Sequence, residues 1–306
     1  MLEIAIMIEG QNGLTWPRWQ NIVRAVEDLG FTGLYRSDHF TNAGPPDKES
    51  LELWVSLTWL AANTGRIEFG PLVTPFSFRH PAFTARMAAA VDDLSHGRLT
   101  LGLGAGWQAR EHDMFGFDLL GPSKRFERFE EGVDVTTRLL RSEGPVTHAG
   151  KYYRLNEAVI LPRPGRSGGP RILIGGNGLK RTLHLAARYA DEWNGNFLPP
   201  EAFERANRRL DQLLEQAGRP AEDVRRSMMT GCVFGRTQAA LKKKLEARGR
   251  PAEQLREGGV LVGTPDAVRE GLEVLERRGL QRIMLQWLDL DDLDGLAGLA
   301  EAVLSR

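Results

Sequence analysis

The sequence predicts an α/β protein whose strands close into a (β/α)8 TIM barrel with insertions. Two observations predict this fold: short β-rich segments alternate with longer helical ones, and eight such strands occur within the 306 residues. Alternation is typical of parallel sheets built from βαβ units, and eight units in a chain of this length favour a closed barrel. A doubly wound open sheet is the alternative.

Each element follows from a local pattern. The first helix begins near Thr15 and Pro17, which are favoured at helix starts, and it ends at Gly30, a usual C-terminal residue. The predicted strands are residues 2–9, 33–37, 67–73, 99–105, 171–176, 192–196, 226–234 and 282–288. The predicted helices are residues 15–30, 51–64, 82–94, 124–141, 179–190, 200–217, 238–249, 265–278 and 291–304.

Two connections are longer than a simple crossover requires. Residues 108–170, between the fourth and fifth strands, are predicted to form an insertion that holds a charged helix and a small hairpin near residues 148–162. A second insertion is expected at about residues 236–262, after the seventh strand. No low-complexity tract or linker divides the chain, so residues 1–306 are expected to form a single domain.

Composition excludes several classes of protein. The 40 Lys and Arg residues balance the 40 Asp and Glu residues, which argues against a nucleic-acid partner. The one cysteine, Cys232, permits no disulfide within the chain and suggests a reducing compartment. No signal peptide or long apolar run is visible, so a cytoplasmic protein without a membrane partner is expected. The histidines form no metal-binding motif, and no metal is expected.

Catalytic groups of such barrels lie at the C-terminal ends of the strands. Asp38 and His39 follow the second strand and are the most reactive pair there. A histidine exchanges protons near neutral pH, and a neighbouring carboxylate can orient it and raise its pKa. The alternative is a helix-capping aspartate beside a hydrogen-bonded histidine. Other rim positions are Glu9 after strand one, Thr74 after strand three, and Trp107 and Glu111 beyond strand four.

Glycines follow the fourth and fifth strands. Residues 175–178 (GGNG) open into a helix, where bare backbone N–H groups bind phosphate well, and Lys180 and Arg181 add positive charge. An ordinary Gly-rich turn is the alternative. Gly102, Gly104 and Gly106 do not make a GxGxxG dinucleotide motif, because Trp107 stands where that motif needs glycine. These small residues are expected to let a flat ring lie against the strand.

Three segments together resemble the bacterial luciferase-like monooxygenase superfamily, and within it the branch of F420-dependent oxidoreductases. They are SDHF (residues 37–40), PLVTPFSFRHPAFTARMAAAVDDLSHGRLTLGLGAGW (residues 71–107) and ILIGGNGLKRTLHLAARYADEWN (residues 172–194). The resemblance extends over essentially the whole chain. It implies an enzyme that uses coenzyme F420 to transfer hydride to or from a small organic substrate, and a homodimer.

The resemblance also implies roles for individual residues. His39 would be the catalytic proton donor or acceptor. Glu9, Trp107 and Glu111 would line the substrate pocket. Members often carry a non-proline cis peptide behind the ring, and the matching bond here is Pro71–Leu72. The cofactor would contact Asp38, Thr74, Ala105, Gly106, Arg110, Gly175, Gly176, Gly178 and Leu179.

Alternatives remain open at this stage. Sugar-phosphate dehydrogenases of this branch carry a catalytic glutamate where this chain has Trp107, so a hexose phosphate substrate is not favoured. The residues that face the ring are shared with FMN enzymes, so an FMN-dependent luciferase-like monooxygenase is the first alternative. A non-catalytic flavin-binding barrel is the second.

Overall fold

The computed structural model describes residues 1–304, so positions 305–306 of the predicted domain lie outside the described residues. The strands are β1 (Glu3–Ile8), β2 (Gly33–Arg36), β3 (Glu68–Pro71), β4 (Thr74–Pro75), β5 (Thr100–Gly104), β6 (Val146–Ala149), β7 (Arg154–Ala158), β8 (Arg171–Gly175), β9 (Glu192–Asn196), β10 (Arg225–Phe234), β11 (Leu261–Gly263) and β12 (Arg282–Gln286). The helices are α1 (Trp16–Leu29), α2 (Leu53–Asn63), α3 (Pro81–Leu94), α4 (Ala109–Phe115), α5 (Pro122–Arg141), α6 (Thr182–Tyr189), α7 (Pro200–Gln216), α8 (Gln238–Arg248), α9 (Ala252–Glu257), α10 (Pro265–Arg277) and α11 (Leu293–Leu304). No helix within residues 1–304 has the length and apolar character needed to cross a membrane.

The parallel strands form a closed ring. Their order is β3-β2-β1-β12-β10-β9-β8-β5-β4, and β11 pairs with β10 off this path. β3 lies within the predicted third strand, and β4 is a short strand just beyond its predicted end at residue 73. β3 also meets the segment before β5 through a parallel bridge between Phe69 and Leu99. The Phe69 N–H donates to the Arg98 carbonyl at 3.2 Å. The predicted TIM barrel is therefore confirmed, and the doubly wound alternative is wrong.

The third strand is interrupted by a cis peptide one residue later than expected. The cis bond joins Leu72 and Val73, not Pro71 and Leu72. The Leu72 N–H still donates to the Arg36 carbonyl at 2.8 Å, so the chain follows the ladder through Pro71 and departs from it only afterwards.

Glycines in β5 allow this interrupted strand to approach closely. A Cβ on Gly102 would lie 2.1 Å from the Pro71 carbonyl oxygen, and one on Gly104 would lie 2.3 Å from Cγ2 of Val73. The space where these side chains would stand is occupied by the chain itself, and the placement of a flat ring against this strand stays a prediction. The absent side chains of the two glycines permit strand packing.

The long connections add structure around the barrel. Between β5 and β8 lie α4, α5 and the antiparallel pair β6–β7, which is the hairpin expected from the sequence. α5 packs against α3 and α6 and so takes the place of a barrel crossover helix. After β10, the short elements α9 and β11 follow α8, and neither was foreseen. Short elements of this kind carry too few residues for a periodicity to show.

The inside of the barrel is charged at its N-terminal end. Arg282, with a side chain only 2% exposed, lies 3.1 Å from Glu192 and 2.6 Å from Glu3. Its guanidinium also contacts Glu68 at 2.5 Å and donates to the Tyr35 hydroxyl at 2.7 Å. Burial acts to lower the pKa of Arg282, but the surrounding Tyr35 and carboxylates raise it overall. This ionic layer fills the N-terminal end of the barrel, opposite to the C-terminal ends of the strands.

An apolar layer lies between the ionic layer and the other end of the barrel. Its buried members come from five strands and the loop after β3: Ala5, Met7, Tyr35, Leu72, Leu173, Met229 and Met284. Val73 and Phe197 pack against this layer and are only partly buried. The interior is therefore filled up to the C-terminal ends of the strands, where open space begins.

We expect Arg282→Met to lower the free energy of unfolding by about 3–5 kcal/mol, because it removes the nearest cation of the buried Glu192 carboxylate and leaves only Arg225, at 3.7 Å. Urea denaturation followed by circular dichroism measures the change. Arg277→Met is the control, since the Arg277 side chain is 66% exposed and its ion pair with Glu273 is long, at 3.9 Å. It should cost less than about 1 kcal/mol. Equal midpoints for the two variants would contradict a structural role for the ionic layer.

Candidate active site

A cavity of about 400 Å³ opens at the C-terminal ends of the barrel strands. Its volume is in the usual range for small-molecule sites. The cavity brings together most of the residues predicted from the sequence: Glu9, Asp38, His39, Ala105, Gly106, Trp107, Glu111, Gly175 and Gly176. The remaining lining residues are Met7, Ser37, Leu72, Val73, Pro75, Gly104, Asn194, Asn196, Phe197 and Met229.

His39 is held by Glu111. Nδ1 of His39 lies 2.8 Å from Oε1 of Glu111, while Oε2 of Glu111 accepts from the Phe40 N–H at 2.9 Å. The Glu111 side chain is 1% exposed and that of His39 is 20% exposed. Because a carboxylate accepts hydrogen bonds, Nδ1 carries the proton and Nε2 is the atom free to react. Nε2 of His39 has no hydrogen-bond partner among residues 1–304.

The pKa of His39 is raised above its ordinary value. Burial acts to lower it, but the hydrogen bond and charge of Glu111 outweigh burial, and the charges of Glu9 and Asp38 add to the rise. The raised pKa keeps His39 protonated to higher pH in the folded protein. This contact therefore stabilises the fold below the unfolded pKa of histidine, and the contribution is lost as the pH rises through the folded value.

Asp38 has a different partner from the expected one. Its Oδ2 accepts from the Thr74 hydroxyl at 2.7 Å and pairs with Arg79 at 2.5 Å. Arg79 in turn contacts Glu52, at the start of α2, at 2.8 Å. The hypothesis that Asp38 orients His39 is wrong, because Glu111 does so. Asp38 and Arg79 instead join the loop after β2 to the segments before α3 and α2.

Four predicted cofactor contacts do not line the cavity. Thr74 is 1% exposed and bonds Asp38. Arg110 points elsewhere: its guanidinium pairs with Asp47 at 2.7 Å and donates to the Asn42 carbonyl at 3.0 Å. Gly178 and Leu179 are exposed outside the cavity. Placement of the last two beside a cofactor phosphate stays a prediction, since a phosphate would lie outside the ring cavity.

Side-chain hydrogen bonds hold the start of the loop between β8 and α6. The Asn177 side chain donates to the Asn196 carbonyl at 2.7 Å and accepts from the Asn196 N–H at 2.8 Å. Nε1 of Trp193 donates to the Gly176 carbonyl at 2.9 Å. Because Asn177 binds the end of β9, residues 179–181 form a turn and α6 starts at Thr182, three residues later than predicted.

Several lining residues were not singled out from the sequence. Met7, Leu72, Phe197 and Met229 give the cavity an apolar floor. Inward positions of β1 and β10 could have been found from the period-two alternation of a strand. Phe197 could not, because it lies just past β9 with a φ of 50°, a conformation that strand periodicity does not describe.

The cavity fits a planar tricyclic ring. Its floor is apolar, and Gly106, Gly175 and Gly176 leave backbone rather than side chains along one side. Asn194, 3% exposed, donates from Nδ2 to the Ser227 hydroxyl at 2.9 Å, which leaves Oδ1 as an unpartnered acceptor in the cavity wall. A flavin or deazaflavin ring carries N–H donors at one edge, which such an oxygen can bind. No group of His, Cys, Asp and Glu within residues 1–304 could hold a metal ion.

Comparisons with known proteins identify the family. The family model described as luciferase-like monooxygenase matches residues 3–256, so the chain belongs to this family and the resemblance found in the sequence is confirmed. A 5,10-methylenetetrahydromethanopterin reductase from Archaeoglobus fulgidus is 32% identical over 64% of this chain and 54% of its own length. An F420-dependent glucose-6-phosphate dehydrogenase from Kineococcus radiotolerans is 33% identical over 62% of this chain and 60% of its own length.

The chain thus spans little more than half the length of these curated relatives. Among solved structures, an F420-dependent secondary alcohol dehydrogenase in complex with an F420-acetone adduct superposes with a TM-score of 0.87 and 18% identity. That match covers 99% of this chain and 98% of the other. At this identity the likeness shows the shared barrel fold.

We expect Glu111→Gln to lower the pKa of His39, because it removes the charge that outweighs burial. An NMR titration of the imidazole resonances measures the midpoint. Glu131→Gln is the matched control: Glu131 lies 3.1 Å from His148 at the periphery, and its loss should leave the His39 titration unchanged. An unshifted His39 midpoint in Glu111→Gln would show that this contact does not set its protonation.

Proposed function

We propose that the protein is an oxidoreductase that uses coenzyme F420 to transfer hydride to or from a small organic substrate. The single observation that carries this proposal is His39, which is held at Nδ1 by Glu111 and leaves an unpartnered Nε2 at the wall of a ring-sized cavity. A proton carrier beside a planar redox ring is the arrangement that interconverts an alcohol and a carbonyl.

The relatives favour the deazaflavin over FMN. Both the glucose-6-phosphate dehydrogenase relative and the structural neighbour described above are F420-dependent enzymes by name. The family description is that of a monooxygenase, so an FMN-dependent monooxygenase is kept as the second candidate. Reduced FMN reacts with oxygen, whereas the deazaflavin carries carbon in place of the reactive nitrogen and reacts poorly with it.

The mechanism assigns separate tasks to the residues of the rim. When bound, the deazaflavin supplies a two-electron hydride donor or acceptor. Nε2 of His39 accepts the hydroxyl proton of an alcohol, or returns it to the oxygen of a carbonyl. Glu111 fixes the Nδ1–H tautomer and stabilises the imidazolium that forms. Gly106, Gly175, Gly176 and Asn194 would hold the ring, and the exposed loop that contains Gly178 and Leu179 would hold its phosphate.

Titration with both cofactors tests the assignment. We expect the purified protein to bind F420, read by absorbance and fluorescence, and to bind FMN more weakly. Oxygen uptake with FMN and a flavin reductase would favour the monooxygenase instead. Tight cofactor binding without turnover of any alcohol, aldehyde, imine or enone would favour a non-catalytic flavin-binding barrel.

We expect His39→Ala to reduce kcat by about 10²–10⁴-fold, the usual contribution of a general acid or base, while F420 affinity changes little. Steady-state kinetics and cofactor fluorescence measure the two effects. His96→Asn is the matched control, since His96 is exposed in the turn before β5, at the other end of the barrel. Full turnover by His39→Ala would remove His39 from the mechanism.

Three further expectations belong to the proposal. The chain folds as a single domain, it forms a homodimer, and it acts in the cytoplasm. A molar mass near 68 kDa in sedimentation equilibrium, about twice the 34.1 kDa of one chain, would support the dimer. A mass of 34.1 kDa at working concentration would contradict it.

A further inference from the structure

A second compartment of about 320 Å³ adjoins the ring cavity. It shares Glu9, His39 and Trp107 with that cavity, so a substrate that reaches Nε2 of His39 can extend into it. Trp107, 63% exposed, forms part of the common wall and contacts the His39 ring edge-on at 5.6 Å. The other lining residues are Gln11, Asn12, Asn42, Ala43, Gln108, Gln286 and Leu288.

The amide side chains of this compartment are oriented by the acceptors that they bind. Gln286 donates from Nε2 to Oε1 of Glu9 at 2.7 Å, and Gln11 donates to Oε2 at 2.8 Å. Gln108 donates to the Thr41 carbonyl at 2.9 Å. Since carboxylates and carbonyls only accept, each contact fixes which amide atom is nitrogen.

This orientation leaves acceptors without partners. The side-chain oxygens of Gln286, Gln108 and Asn42 have no hydrogen-bond partner within residues 1–304. Each oxygen of Glu9 accepts one amide N–H and can accept a second bond. Each of these amide nitrogens also keeps a second N–H, because the bonds above use only one of its two donors. The compartment thus offers several acceptors, among them the charged Glu9 carboxylate, to a ligand that brings donors.

The charges around the two compartments are unevenly compensated. Asp38 is paired with Arg79, and Glu111 with His39. Within residues 1–304, Glu9 hydrogen-bonds only to neutral amides and has no ion pair within 4 Å, and it interacts with the charges of the buried Arg36 and of His39 at longer range. No Arg or Lys of residues 1–304 lines either compartment. The nearby Lys48 is bound to the Asn12 side chain at 3.0 Å, and Arg110 is bound to Asp47. An anionic group placed here would lie beside the Glu9 carboxylate, and the nearby His39 imidazole is already paired with Glu111.

We propose that this compartment selects the substrate: it takes a hydroxyl or ammonium group on the substrate and rejects an anionic one, with Glu9 as the specificity-determining residue. The inference rests on the proposed function, because it places the substrate beside His39. Phosphate esters and carboxylates are then poor substrates, since both bring negative charge and few hydrogen-bond donors. A group that donates to Glu9 and to the amide oxygens would instead satisfy the exposed acceptors.

Four three-carbon secondary alcohols that differ in one substituent test this proposal: isopropanolamine, propylene glycol, isopropanol and lactate. Oxidation of each alcohol to its ketone by the F420-loaded enzyme gives kcat/KM, with isopropanol as the reference. Saturation-transfer NMR of the same compounds on the cofactor-free chain gives binding without turnover. The amine and the glycol should exceed isopropanol in both measurements, and lactate should fall below it.

Glu9→Gln should lower the ratio of isopropanolamine to lactate in kcat/KM and in binding by at least about tenfold, because the ammonium loses its counter-charge. Gln286→Leu should lower the preference for propylene glycol, because an acceptor is lost. Glu49→Gln, an exposed carboxylate outside the compartment, is the control and should keep the ratio.

The outcomes separate the inference from the proposed function. The expected order in binding, with no oxidation of any compound, would support the compartment and reject the oxidoreductase. Oxidation in which lactate equals or exceeds the amine, or an unchanged ratio in Glu9→Gln, would overturn the inference and leave the oxidoreductase intact. Neither binding nor oxidation of any of the four compounds would reject both.

Discussion

The buried charge of Arg282 is the constraint around which the barrel interior is arranged. A guanidinium that is 2% exposed requires carboxylates at close range, and Glu3, Glu68 and Glu192 supply them from the starts of three strands. These charges fill the N-terminal end of the barrel, and the apolar side chains above them fill its middle. Open space can then exist only at the C-terminal ends. The position of the cavity thus follows from how the other end is closed.

His39 is placed by contacts from distant parts of the chain. Glu111 lies on α4, a helix of seven residues, and binds both the His39 ring and the Phe40 backbone. The Phe40 ring packs at 4.7–5.4 Å from Phe78, Phe115 and Phe117. One carboxylate therefore fixes the imidazole and also the loop that carries it. An anchored loop is the preorganisation that proton transfer requires, because the imidazole need not be reoriented for each turnover.

The sequence was informative where a pattern is local or repeated, and less so elsewhere. Alternation of strands and helices predicted the barrel, and the rim positions placed Glu9, His39, Trp107 and Glu111 at one cavity. Adjacency in sequence was a poor guide to contact: Asp38 directly precedes His39, yet its carboxylate binds Thr74 and Arg79. The Glu111 contact spans 72 positions and the Arg79 contact spans 41, so no local spacing could reveal them.

Three carboxylates at the rim differ in their partners, and the difference separates their tasks. The Asp38 carboxylate pairs with the Arg79 guanidinium, and this ion pair holds loops together. The Glu111 carboxylate contacts the His39 imidazole, and its charge raises the pKa of His39. Glu9 hydrogen-bonds to two neutral amides and has no ion pair within 4 Å among residues 1–304, although its charge interacts with those of Arg36 and His39. A rim with all three carboxylates paired would bind neutral and anionic substrates alike. The carboxylate without a direct ion pair is the basis we propose for choosing between them, next to His39, the proposed proton carrier.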